Sequence, residues 1–237
     1  MRRKSIRLPF TISALATLLA TSAFAQDQIG VSDPRAYLID EGEEIALSRS
    51  AAPASISADA SVLVLQEDGT YKLAVEGTND WTCFTGRSWT GPAQFKDGKR
   101  VWTARAFDTK IRAPQCFNEA GAKSMLKMHR IATWHFMNGA TTDEVDMAIG
   151  YALTTGEIAQ PAVGAMSYMY SPDQVLTPDG GRFHPHVMIY QPHVTQADYG
   201  KGSPMKGVPL VTESGTVFAT TVILSSHWSD GTPASGM

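Results

Sequence analysis

The clearest strand signal lies in the wholly apolar run 62–65 and the patterned run 71–75, with Glu67-Asp68-Gly69-Thr70 between them. In the second run Tyr71, Leu73 and Val75 share one face, and Lys72 and Ala74 share the other. An Asp-Gly pair between strand-like runs predicts a β-hairpin, because glycine accepts positive φ. Trp81-Thr82-Cys83-Phe84 extends the pattern as a third strand. Residues 86–115, rich in Gly, Pro, Lys and Arg, predict a long and partly irregular excursion.

Beyond it the period changes from two to 3.6. Asn118 is a favoured N-cap, and Asn138-Gly139 supplies the stop. Between them Lys123, Lys127 and Arg130 form a wet face, and Met125, Leu126, Met128, Ile131, Ala132 and Phe136 form the apolar remainder. Thr141 and Glu144 form a capping box that opens a second helix. Its stripe is Val145, Ala148, Ile149, Ala152 and Leu153, and Gly156 ends it. Strand patterns return at 163–170, 186–191 and 216–224. Nearer the start, Asp40, Glu41, Glu43 and Glu44 crowd the head of a short helix, where negative charge suits the dipole. The Ser/Ala-rich stretch 48–61 reads as a connector. Strands, then helices, then strands without βαβ alternation predict an α+β fold with a mostly antiparallel sheet, two central helices and a disulfide-pinned excursion.

The N-terminus changes where this fold is expected to work. Arg2, Arg3, Lys4 and Arg7 precede an uncharged run from Leu8 to Ala20, and Ala23-Phe24-Ala25 follows. A basic n-region, a short apolar h-region and an A-x-A site in that order are a secretory signal. The expected division is a signal peptide at 1–25, an N-terminal arm and connector at 26–60, and a single α+β domain at 61–237. Cleavage near Ala25 leaves 16 basic against 23 acidic side chains, a net charge of −7 where the whole chain has −3. An acidic chain without a basic run lacks the footprint of a nucleic-acid partner. Later apolar segments fall short of spanning length, so no membrane anchor is expected and the product is periplasmic or secreted. In that oxidising setting Cys83 and Cys116 are read as a disulfide at the base of the excursion.

Candidate chemistry is sparse. Arg182-Phe183-His184-Pro185-His186 places two imidazoles on one face of an extended chain, and His227 stands after a strand within Ser225-Ser226-His227-Trp228-Ser229-Asp230. His184, His186 and His227 together are the candidate ligands for a divalent metal. A cupin-type set would add a glutamate within 187–191, where there is none. Asp230 either orients His227 or closes an Asx-turn with Gly231, and the turn is the favoured role. Ser124-x-x-Lys127 matches S-x-x-K without the partner motifs that give it meaning. Met125-x-x-Met128 and Met166-x-x-Met169 have spacing that soft copper sites use, but read as core. Tryptophans at 81, 89, 102, 134 and 228 serve as core and disulfide cover or as the lining of a ligand groove.

Through Gly164-Ala165-Met166-Ser167-Tyr168-Met169, His184-Pro185-His186 and the segment 227–233, the chain resembles a group of exported bacterial proteins to which no activity is assigned. The resemblance implies a shared fold and no particular chemistry. The sequence therefore favours a non-enzymatic binding or accessory protein with an unidentified ligand or protein partner. The alternative is a metal- or histidine-dependent periplasmic enzyme with its site near His184, His186 and His227.

Overall fold

The computed structural model describes residues 30–90, 94–96, 99–101 and 104–234. The expected leader and cleavage site, and Trp102, lie outside the described residues. In chain order the strands are β1 (Ser61–Leu65), β2 (Tyr71–Val75), β3 (Trp81–Gly86), β4 (Gln94–Lys96), β5 (Lys99–Val101), β6 (Ala113–Asn118), β7 (Met166–Met169), β8 (His186–Tyr190), β9 (Leu210–Thr212) and β10 (Thr220–Leu224). Eight of them form one sheet in the order β2-β1-β3-β6-β7-β8-β10-β9, and β4 pairs with β5 separately. Each neighbouring pair in the large sheet is antiparallel except β1 with β3. The expected α+β class with a mostly antiparallel sheet is what the chain adopts.

Helices cover both faces. On one lie α1 (Glu41–Arg49) and α2 (Ala54–Ser57). On the other, α3 (Glu119–Gly121) runs through a π turn at Ala122–Leu126 into α4 (Lys127–Met137), and α5 (Thr142–Thr154) follows. Asn118 caps this helix run through Oδ1, which accepts from Gly121 N at 2.9 Å. Thr141 and Glu144 form the expected capping box, and Gly156 takes φ 76° just past α5. Leu63, Leu65, Tyr71, Phe84, Phe117 and Tyr190 meet the buried sides of α4 and α5 in the main core. Alternation along β3 turns Cys83 to the opposite face, where it packs with Cys116, Ala51, Ala52 and Ala60.

Cys83 and Cys116 are directly opposed across β3 and β6 and are joined as a disulfide. A bridge across a separation of 33 residues stabilises by about 3–4 kcal/mol on the chain-entropy account. The sequence reading missed β6 and put the excursion at 86–115, because Pro114, Gln115 and Asn118 blur the alternation. The stretch 48–61, read as a connector, holds α2 and buries three alanines beneath the disulfide. The expected strands at 163–170 and 216–224 are shorter: Val163 is fully exposed beside Gly164 (φ 84°), and positive φ at Glu213 and Gly215 turns the chain before β10.

A buried charge pair locks α1 to the sheet. Arg87 and Glu44 are both fully buried, with Nη2 2.9 Å from Oε1. Arg87 Nε donates to Tyr37 O at 2.8 Å, Nη1 donates to Thr85 O, and Glu44 Oε1 also accepts from Leu65 N at 3.4 Å. Glu44 Oε2 is buried without a hydrogen-bond partner among the described residues. Burial raises the Glu44 pKa, and the Arg87 charge opposes that rise.

Arg87→Met strands the Glu44 carboxylate without its cation, and the expected loss is about 3–5 kcal/mol at neutral pH, read by urea denaturation. The folded state holds the Glu44 proton more tightly than the unfolded chain, so this loss shrinks as pH falls through the raised pKa. Adding Glu44→Leu to Arg87→Met restores most of the stability if charge is the cause. Equal losses in the single and double variants would show that shape is.

Candidate functional site

The turn between β1 and β2 is seated on the end of α4. Gly69 adopts φ 81°, and a Cβ there would lie 2.7 Å from the Met137 Cβ, so only glycine allows this approach. Asn138 Nδ2 donates to Asp68 O at 2.9 Å, and Asp68 Oδ1 accepts from Thr70 N at 2.9 Å. The Asp-Gly hairpin signal thus also fixes a wall: the turn, α4 and α5 enclose a cleft of about 680 Å³. That size suits a small-molecule body or a few side chains.

Its lining divides by chemistry. Lys127, Arg130 and Trp134 follow one another along α4 at helical spacing, and Met147 and Tyr151 face them from α5 at i, i+4. Trp134 is 46% exposed, Met147 66% and Tyr151 70%. Three large apolar side chains are thus exposed around one hollow. Among the described residues neither Lys127 nor Arg130 makes an ion pair, while Lys123 is held by Glu119 at 2.5 Å. Glu157 also lines the cleft. A second hollow of about 450 Å³ opens on the other side of the same two cations, lined by Trp81, Ser61, Thr82, Asp80 and Lys123 among others.

The three candidate histidines occupy a different region, near the β8 and β10 ends, whereas His135 lines the larger cleft. His186 is buried at the start of β8, its Nδ1 2.7 Å from His184 O and its ring 5.3 Å from that of Phe183. Burial is the main cause that pushes its pKa down to about 4. His184 is half-buried and His227 exposed, with His227 Nδ1 2.9 Å from Ser226 Oγ. Asp230 accepts from Thr232 N and Oγ1, which gives it the turn-closing role. Among the described residues no group of three or more His, Cys, Asp or Glu side chains is placed to hold a metal ion.

The remaining sequence signals resolve into structure. Ser124 is fully buried and its hydroxyl donates to Ala120 O at 2.9 Å, so it faces away from the cleft that Lys127 lines. Met125 and Met128 are buried in the main core. Trp89 and Trp228 are buried, Trp81 packs by the disulfide and lines the smaller hollow, and Trp134 lines the larger one. Sequence reasoning missed Met147 and Tyr151. Their signal was present, since both are large apolar residues lying off the stripe that buries α5.

Among the described residues no helix is long and apolar enough to cross a membrane. Compared with known proteins, the chain matches no family model, no curated protein and no solved structure.

Proposed function

We propose that this is an exported binding or accessory protein, active in the periplasm or outside the cell, whose ligand lies in the cleft between the β1–β2 turn and helices α4 and α5. The observation that carries the reading is the exposure of Trp134, Met147 and Tyr151 around Lys127 and Arg130, two cations without an ion-pair partner among the described residues. Aromatic faces and fixed cations hold a ligand that has both an apolar body and negative charge. The Cys83–Cys116 disulfide and the leader-like N-terminus support an oxidising address.

Anilinonaphthalene sulfonate has that combination of apolar body and negative charge. It is expected to bind saturably, with enhanced dye emission and quenching of Trp134. Trp134→Ala with Tyr151→Ala should weaken it about tenfold or more, roughly 1.4 kcal/mol or above, with the thermal unfolding curve unchanged. Binding that survives the double variant intact would remove the cleft from the proposal.

One observation favours the second reading, a metal- or histidine-dependent enzyme near His184, His186 and His227. The His184 carbonyl fixes the His186 ring, as outer-shell acceptors do for ligand histidines. Protein purified from the periplasm would then carry stoichiometric metal that His184→Ala with His186→Ala abolishes. If His186 is instead a packed neutral side chain, its depressed pKa has a stability signature. The folded state resists its protonation, so stability present above pH 6.5 falls as pH drops toward 4, by about 3 kcal/mol in all. His186→Gln should remove that slope, and an unchanged slope would show that the imidazole is not its source.

A further inference from the structure

Resting on the cleft reading above, we infer that the occupant is an extended, acidic segment of a partner polypeptide, laid across both hollows and over the Lys127–Arg130 ridge. These two cations line the larger and the smaller hollow alike, so a ligand that spans both hollows crosses them as a charged saddle. Aromatic anchors stand on both sides of the saddle: Trp81 on one, Trp134 and Tyr151 on the other. At about 450 and 680 Å³, the two hollows together exceed what one small ligand fills. A strand at roughly 3.3 Å per residue crosses the two with alternate side chains pointing into them.

Charge selects the class of chain. The protein carries a net −3, yet its saddle presents two cations without ion-pair partners among the described residues, which favours carboxylates on the partner. Asp80 and Glu119 line the smaller hollow and Glu157 the larger. A nucleic acid or a uniformly charged polysaccharide would bring its anions against these three carboxylates at regular intervals. A polypeptide can place a few carboxylates at the saddle and neutral side chains elsewhere. The aliphatic lining points the same way, since Ile131, Met147, Ala148 and Ala152 accept leucine-like side chains that sugars and phosphates lack. On the other side of the saddle, the Ser61 and Thr82 side chains supply hydroxyls for peptide groups.

The test uses the whole exported protein and a fluorescein-labelled octapeptide with leucine near each end and three glutamates between, followed by anisotropy. Saturable binding is expected that weakens as salt rises. Lys127→Gln with Arg130→Gln should weaken it at least tenfold, and so should replacing the peptide's glutamates by glutamine. Dye binding in the larger hollow should change less, because its aromatic contacts remain. Dye binding without peptide binding overturns this inference and leaves the cleft reading standing, whereas failure of both overturns both. A uronate oligosaccharide or single-stranded DNA that binds as tightly as the peptide, with the same dependence on Lys127 and Arg130, also overturns it. Self-association that the glutamine variants abolish would make the partner a second copy and contradict the assignment to a foreign segment.

Discussion

A fully buried guanidinium is a demanding object. Arg87 keeps its charge away from water by donating to Tyr37 O, Thr85 O and Glu44 Oε1, which come from the N-terminal segment, from β3 and from α1. Glu44 in turn accepts from Leu65 N at the end of β1. Removing two charges from solvent costs several kcal/mol per ion unless partners replace the lost hydration. The fold therefore tolerates little displacement among these four segments. Close by, Ser48 Oγ and Thr85 Oγ1 share a buried hydrogen bond at 2.8 Å, and the Tyr71 hydroxyl donates to Thr85 O at 3.3 Å. Burial pushes the Tyr71 pKa up to about 12, so it remains a neutral donor.

That network places the larger hollow. Tyr71 begins β2 directly after the Asp-Gly turn, so anchoring its hydroxyl to β3 anchors the turn from below, while Asn138 and the Gly69–Met137 approach hold it from above. The wall of the cleft is thus rigid before any ligand arrives. Its lining uses residues the core does not need: Trp134 continues the wet face of α4, and Met147 and Tyr151 stand off the buried stripe of α5. Preformed walls with exposed anchors reduce the ordering cost of binding.

Much of this was legible in the sequence where one local rule governed. The Asp-Gly turn, the Asn118 cap, the Thr141–Glu144 box and the Cys83–Cys116 pair each depend on neighbours or on compartment chemistry, and each is present. β6 was not legible, because a strand flanked on both sides owes its place to β3 and β7 and can carry Pro114 and Gln115. The alanines of the stretch 48–61 are small because the disulfide lies against them, a reason visible only in three dimensions. For the site, the sequence marked Lys127 and Arg130 as a wet face and named Trp134 among possible groove residues. It did not show that α5 would bring Met147 and Tyr151 opposite them, since that depends on how two helices pack. His184 and His186 stand out by spacing and His227 by its place after a strand, whereas His186 is buried against Phe183 and the His184 carbonyl.

An amide NMR titration of the protein with anilinonaphthalene sulfonate tests the central claim most directly. A ligand held between the turn and the helix pair predicts saturable shifts concentrated at Thr70, Ile131, Trp134, Ala148 and Tyr151, with the segments 182–186 and 225–230 unmoved. Shifts centred on those two segments, and quiet amides along α4 and α5, would contradict the account and move the functional site to the histidines.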